Sequence, residues 1–315
     1  MKAQLTKFIC LIVAGLLLAS PLAAAQQFPN KPIEIIVPWA AGGNADQQAR
    51  ILANVSEGIL GVPIFVRNQP GGGTVPGVME AISAPADGYT LIWTAIPSVA
   101  TVPALRETPF SREDLYPLAN VSENTLVLYV RDDSEWYTLE HFTDAAQGRS
   151  LNMAVNAIGA LPHLAAVGLA QEVGTNFNFV TEGSSAGAVV SLLGGHVDAA
   201  LAHEPQAYSH GEGLRALAVF EPERSRYLPL VPTAEEYGYA VYGYVRDSIS
   251  VNADAPDDVK QTLAEAFAQA MQSDELTNQF LSRRIKKLYL SPEDTLSLWD
   301  EAGESYQQII DQLQQ

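Results

Sequence analysis

IEIIVPWAAGGNADQQAR, residues 33–50, sets a short apolar run against a glycine pair and then a polar, alanine-containing segment. Ile33 to Val37 is β-rich and bracketed by Pro32 and Pro38, which reads as a strand buried on both faces of a parallel sheet. From Ala45 onward Ile51, Leu52, Val55 and Ile59 recur on one helical face. Asn44 followed by Gln47 resembles a capping box, which places Gly42 and Gly43 just ahead of a helix N-terminus. Free backbone N–H groups and the positive end of the helix dipole then face the turn, so it suits a carboxylate or another anion. A plain tight strand-to-helix turn would use the same residues.

The pattern recurs outward from this stretch. IFV at 64–66, YTLIW at 89–93, LVLYV at 126–130, LNMAV at 151–155, FNFV at 177–180, DAALA at 198–202 and LRALAVF at 214–220 read as strands. Helical stretches such as Leu164 to Glu172 and Ala188 to Leu193 lie between them, and this alternation predicts an α/β architecture with largely parallel sheets. The C-terminal part reads as helical: Pro256 to Met271 is amphipathic, and Ser291, Pro292, Glu293 and Asp294 form a helix start before Leu296 and Trp299. No repeat or low-complexity linker interrupts the chain.

Other anion-binding and catalytic patterns fit less well. No Gly-Lys-Ser or Gly-Lys-Thr closes the first glycine loop, and Gly71, Gly73 and Gly77 are misspaced for a dinucleotide motif because Pro76 stands at the last glycine position. Gly183 to Gly187 fits G-x-S-x-G, with Ser185 as the serine of a nucleophile elbow. Its histidine would have to follow, yet the last one is His210, too near in sequence for a hydrolase of that fold. The same small-residue turn at a helix start could offer N–H groups and hydroxyls to a carboxylate. His196, His203 and His210 fall on a helix end, a strand and a loop, which speaks against a zinc site.

The first residues carry Lys2 and Lys7, an apolar run from Phe8 to Leu18, and small residues at Ala23 and Ala25. This is the grammar of a signal peptide cleaved before Gln26, because the apolar run is shorter than the roughly 20 residues of a spanning helix. The only cysteine, Cys10, lies within that leader, so the exported chain is expected to have no disulfide, thiol nucleophile or thiolate metal site. The chain has 18 basic and 36 acidic residues, a net charge of −18, and loss of Lys2 and Lys7 makes it −20. Such a surface repels nucleic acid and anionic lipid, so an anionic ligand would have to be drawn by a local field.

Taken in order, FPNKPIEIIVPWAAGGNADQQAR (28–50), RNQPGGGTVPG (67–77), APADGYTLIW (84–93), LLGGHVDAALAHEPQA (192–207) and GLRALAVFEPERSRYLPLVPTAEEYG (213–238) resemble the solute receptors of tripartite tricarboxylate transporters, the Bug family. The resemblance covers nearly the whole exported chain. It implies a two-domain periplasmic-binding-protein clamshell of type II-like α/β fold, with two mixed, mostly parallel sheets flanked by helices and the ligand in the interdomain cleft. It further implies, after the signal peptide read over 1–25, a first domain from 27–124 plus 248–315, and a second from 125–247.

Carried over by position, the first-domain wall of the cleft would be Trp39, Ala40, Ala41, Gly42, Gly43, Asn44 and Asp46, with Thr94 to Ser98 beside it. The second wall would come from Asn156 to His163, including Gly159, from Gly183 to Gly187 with Ser184 and Ser185, and from Ala202 to Pro205 with His203. Backbone N–H groups of Gly42 and Gly43 would clamp one carboxylate, and Trp39 would cover an apolar part. Asp46 sits at an early helical position, where a carboxylate suits the helix dipole and can fasten the loop but would repel a bound anion.

The chain departs from the family pattern at Ala45, where threonine is usual, and at NAIGALPH (156–163), where hydroxyl residues are usual. Both changes point to a ligand with an apolar or aromatic portion. Arg246 could take a ligand carboxylate in two parallel hydrogen bonds or pair with Asp247 or another acid. The expectation is therefore a monomeric periplasmic receptor that captures a small organic carboxylate for inner-membrane transporter subunits, with no catalysis, cofactor, metal or nucleic acid. A ligand sensor of the same fold and, more remotely, a secreted serine hydrolase using Ser185 are the alternatives.

Overall fold

The computed structural model describes residues 28–96, 99 and 107–301. The leader expected over 1–25 and the site position Ser98 lie outside the described residues. The opening stretch folds as β1 (Ile33–Val37) and α1 (Asn44–Leu60), followed by β2 (Ile64–Asn68), α2 (Val75–Ser83) and β3 (Thr90–Ala95). β1 pairs in parallel with both β2 and β3. The apolar face of α1, including Ala49, Ile51, Leu52 and Val55, packs onto that sheet. α1 stops where Gly61 takes φ 71° and returns its N–H to Glu57 O, a left-handed conformation that glycine adopts at little cost.

The chain continues through β4 (Leu115–Arg131), α3 (Leu139–Gly148), β5 (Leu151–Val155), α4 (Leu161–Val173), β6 (Phe177–Thr181), α5 (Ser185–Leu193), β7 (Ala199–His203), α6 (Glu204–Ser209) and β8 (Leu214–Val219). It closes with β9 (Tyr244–Asn252), α7 (Asp257–Gln272), α8 (Asp274–Ser282), β10 (Lys286–Leu290) and a helix over 292–301. The strand order is β2-β1-β3-β9-β4-β7-β5-β6, with β8 and β10 also pairing β4.

Parallel pairing is confined to the two flanks, where helical crossovers connect the strands. The centre is antiparallel because β4 and β9 run between the flanks side by side. The first part of β4 pairs β9 and β10, and its second part pairs β7 and β8. Sequence periodicity finds only the apolar end of this strand, LVLYV at 126–130. The residues before it, Asn120, Ser122, Glu123, Asn124 and Thr125, are polar yet buried, so they carry no hydrophobic pattern to read.

The apolar clusters divide at the same crossing. One draws on β1 to β3, β4 as far as Val121, Ile249 and Val251 of β9, α7 and α8. Another gathers Leu126 to Val245, joined by Ala95. Trp39 packs against both. The molecule is thus two lobes of mixed sheet flanked by helices, joined through antiparallel crossing strands.

Candidate functional site

A cavity of about 440 Å³ lies between the lobes. The first lobe contributes Pro38, Trp39, Gly43, Asn44, Ala45, the Gly71–Thr74 turn and Ala95. The second contributes Asn156 to Ile158, Ala160 to Pro162, Thr181, Gly183 to Ser185 and His203, while Val245 and Asp247 come from the crossing strand β9. The N-termini of α1, α4 and α5 all open onto this space. Each carries backbone N–H groups without an intrahelical acceptor and a partial positive charge.

The loop before α1 is fastened differently from a capping box. Asn44 is the first helical residue and Gly43 is the N-cap, with no side-chain cap bond. Asp46 takes over the fastening: Oδ2 accepts the Gly42 N–H at 2.9 Å, and Oδ1 accepts from Arg50 Nε at 2.9 Å. Burial by itself would raise the Asp46 pKa, but these bonds prevail and hold it below the usual carboxylate range. Gly43 N–H is also engaged, donating to Ala40 O at 3.3 Å. The N–H groups of Gly42 and Gly43, expected to clamp a carboxylate, are thus both engaged within the loop.

On the facing wall Ser184 is the N-cap of α5, and its Oγ accepts the Gly187 N–H at 3.0 Å. Ser185 Oγ is buried without a hydrogen-bond partner, so among the described residues none is hydrogen-bonded to it as a base. At α4, Pro162 removes one donor from the first turn. His163 is tied into its own loop: Nδ1 accepts the Gly159 N–H at 3.2 Å, and the ring packs edge-on to Phe179 at 4.5 Å. Asn156 Oδ1 likewise accepts the neighbouring Ala157 N–H at 2.9 Å.

The cavity collects unsatisfied polarity. Asn44 Oδ1, Thr74 Oγ1, Ser185 Oγ and His203 Nδ1 are buried without hydrogen-bond partners, and all four residues line it. Buried polar atoms cost free energy unless something hydrogen-bonds to them. Burial lowers His203 to about 4, so its ring is neutral at physiological pH. Asp247 is the other titratable residue lining the cavity, and burial pushes it up to about 7. Among the described lining residues there is no lysine or arginine.

Of the positions expected from sequence, the structure brings Trp39, Gly43, Asn44, Asn156, Ser184, Ser185 and His203 to this cavity. Ala41, Gly42, Asp46, Gly159 and His163 support its loops without lining it. Thr94 is a buried sheet residue whose Oγ1 bonds Ser248 O at 3.2 Å and Ser250 Oγ at 2.9 Å. Arg246 faces away from the cavity, with Nε donating to Glu123 Oε2 at 2.7 Å and Lys286 on the other oxygen. Strand alternation is the reason: Glu123 and Arg246 are register partners on one face, and Ser122 and Asp247 are partners on the other. Sequence reasoning placed neither Asp247 nor Thr74 in the site; an acid inside a β-rich run and a three-glycine turn were the available signals.

Two lobes closing a cleft onto which helix N-termini open from both sides define a two-lobed solute receptor. The chain belongs to the tripartite tricarboxylate transporter family receptor family, whose model matches residues 48–314. The Protein BugT of Bordetella pertussis is 30% identical over 301 residues, spanning 93% of this chain and 92% of the relative. MatC from Rhodopseudomonas palustris, solved with bound malate, superposes with a TM-score of 0.84 at 21% identity, covering 90% of this chain and 100% of the other. The R. palustris Rpa4515 structure with adipate gives 0.84 at 22% identity, covering 90% and 97%.

Proposed function

We propose that this chain is an exported periplasmic receptor, its leader removed near Ala25, that captures a small organic carboxylate and delivers it to the membrane subunits of a tripartite transporter. The observation that carries this reading is the convergence of the α1, α4 and α5 N-termini on one cavity whose described lining residues include no lysine or arginine. Such a site neutralises a carboxylate with oriented N–H groups instead of a salt bridge. Malate and adipate in neighbours of the same fold support the ligand class.

The proposed lobes are 28–124 with 248–301, and 125–247, moving about the crossing of β4 and β9. The residues proposed to meet ligand are Trp39, the Asn44 and Ala45 N–H groups, Asn156, Ser184, Ser185 and His203. The apolar wall of Ala157, Ile158 and Leu161 favours a ligand with an apolar segment over a small, highly polar acid. The receptor acts by closure alone, as a monomer and without chemistry.

The test is a thermal-shift screen of refolded, ligand-stripped protein against aliphatic, hydroxy, amino and aromatic carboxylates. A binder of the folded form raises the melting temperature with the logarithm of its concentration. A fluorophosphonate probe that labelled Ser185 would instead restore the hydrolase reading.

A further inference from the structure

Among the described residues Asp247 has what a charged carboxylate needs except a counter-ion. Only 3% exposed, it sits on β9 where that strand lines the cleft. Its Oδ2 accepts from Asn124 Nδ2 at 2.7 Å, Gln48 Nε2 at 3.3 Å and Ser122 Oγ at 3.4 Å, all neutral donors. The charged groups on the surrounding elements are committed elsewhere. On α1, Asp46 and Arg50 pair with each other. On β4 and β9, Glu123 and Arg246 meet on the opposite face, joined by Lys286 of β10. Neighbouring β3 offers Trp93, Thr94 and Ala95, which carry no charge, and His203 of β7 is neutral.

A buried acid without a cation has two fates: it keeps a proton, or it meets a positive charge brought from outside. Three donors gathered on one oxygen stabilise the ionised form, whereas an acid meant to stay protonated needs an acceptor for its O–H. The helix N-termini in the same cavity call for negative charge at the same time. One ligand meets both demands if it carries both signs.

We propose that the ligand is a small amino-carboxylate, its carboxylate against the N-terminal N–H groups of α1 and α5 and its ammonium paired with Asp247. The inference rests on the carboxylate reading above and narrows it to a zwitterion. Burial pushes Asp247 up to about 7, so it holds its proton part of the time at neutral pH, and an arriving ammonium group displaces that proton.

Isothermal titration calorimetry tests this with ligand pairs that differ by the ammonium group: L-glutamate and glutarate, L-phenylalanine and 3-phenylpropionate, 4-aminobutyrate and butyrate. Wild type and Asp247→Asn are titrated at pH 7 in two buffers of different ionisation enthalpy. The expected result is an amino member that binds about 100-fold tighter than its partner, releases protons, and loses about 100-fold in Asp247→Asn, the cost of unpairing a buried charge. Should Asp247→Asn fail to fold, the paired affinities and proton release in wild type decide alone. Desamino members binding at least as tightly, with proton uptake and with Asp247→Asn retaining affinity, overturn the proposal and leave the carboxylate reading intact. If cooperatively melting wild-type protein binds neither member of any pair, both readings fail.

Discussion

Gly43 and Ser184 stand against each other across the cleft, one as N-cap of α1 and the other as N-cap of α5. A β-carbon added to Gly43 would lie 3.4 Å from Ser184 Cβ and 3.1 Å from Ala40 O. Gly43 has φ −71°, which any residue can adopt, so its smallness and not its backbone freedom is what the position uses. The absent side chain lets two helix N-termini from different lobes come close to each other across the cavity.

Gly43→Val should therefore fold but close poorly. Its γ-carbons would fill the gap to Ser184 and hold the lobes apart. Ligand affinity is expected to fall at least about tenfold, with the melting temperature within a few degrees of wild type. Small-angle scattering with and without ligand checks it: ligand-induced compaction should be lost.

Arg246→Ala should damage stability and spare binding. Glu123 lies in a buried position where burial would raise its pKa, but Lys286 and Arg246 outweigh that and hold it low. Removing Arg246 leaves the carboxylate half-compensated, at a cost of about 2 kcal/mol. Chemical denaturation should show that loss, while ligand affinity measured on the folded fraction stays within about threefold.

The pH dependence of folding should carry the signature of Asp247. Its pKa rises from 3.8 to about 7 on folding, so the native state binds more protons than the unfolded chain between those values. Stability from this group is complete below the unfolded pKa and falls as pH rises toward 7. Asp247→Asn removes the penalty, gaining on the order of 4 kcal/mol above pH 7 at roughly 2–4 °C per kcal/mol and almost nothing at pH 3 to 4. Melting curves of the unliganded proteins across that range give the answer, and a constant gap between the two would exclude it.

Asp46→Ala should loosen the glycine loop. Gly42 N–H would lose its acceptor and Arg50 one of its two, and the Asn44 and Ala45 N–H groups would lose the support that orients them. A loss of about 1–2 kcal/mol in ligand affinity is expected, with faster amide exchange over residues 40–46 as the independent readout. A carboxylate that merely repelled the ligand would give the reverse, a gain in affinity.

Local order was legible before the structure because it depends on neighbours in the chain. The strands IEIIV, LNMAV and DAALA and the helix carrying Ile51, Leu52 and Val55 follow from apolar periodicity, and the turns follow from glycine. The glycine loop's affinity for anions was legible for the same reason, since a helix N-terminus offers N–H groups wherever it sits. Which of those groups remained free was not legible. That was decided by Asp46 reaching back to Gly42 in place of Asn44 capping the helix.

Tertiary structure alone decided the crossing of β4 and β9 and the charge of the cleft. Alternation along β9 puts Arg246 and Asp247 on opposite faces, but nothing local says which face meets solvent, a partner strand or a cavity. β4 settles it by bringing Glu123 to Arg246 and Ser122 with Asn124 to Asp247, residues more than a hundred positions away in sequence. Periodicity records hydrophobic burial, whereas these contacts are polar, buried and long-range, so only the folded chain could reveal that Asp247, the one acid among the described lining residues, is held there by neutral donors.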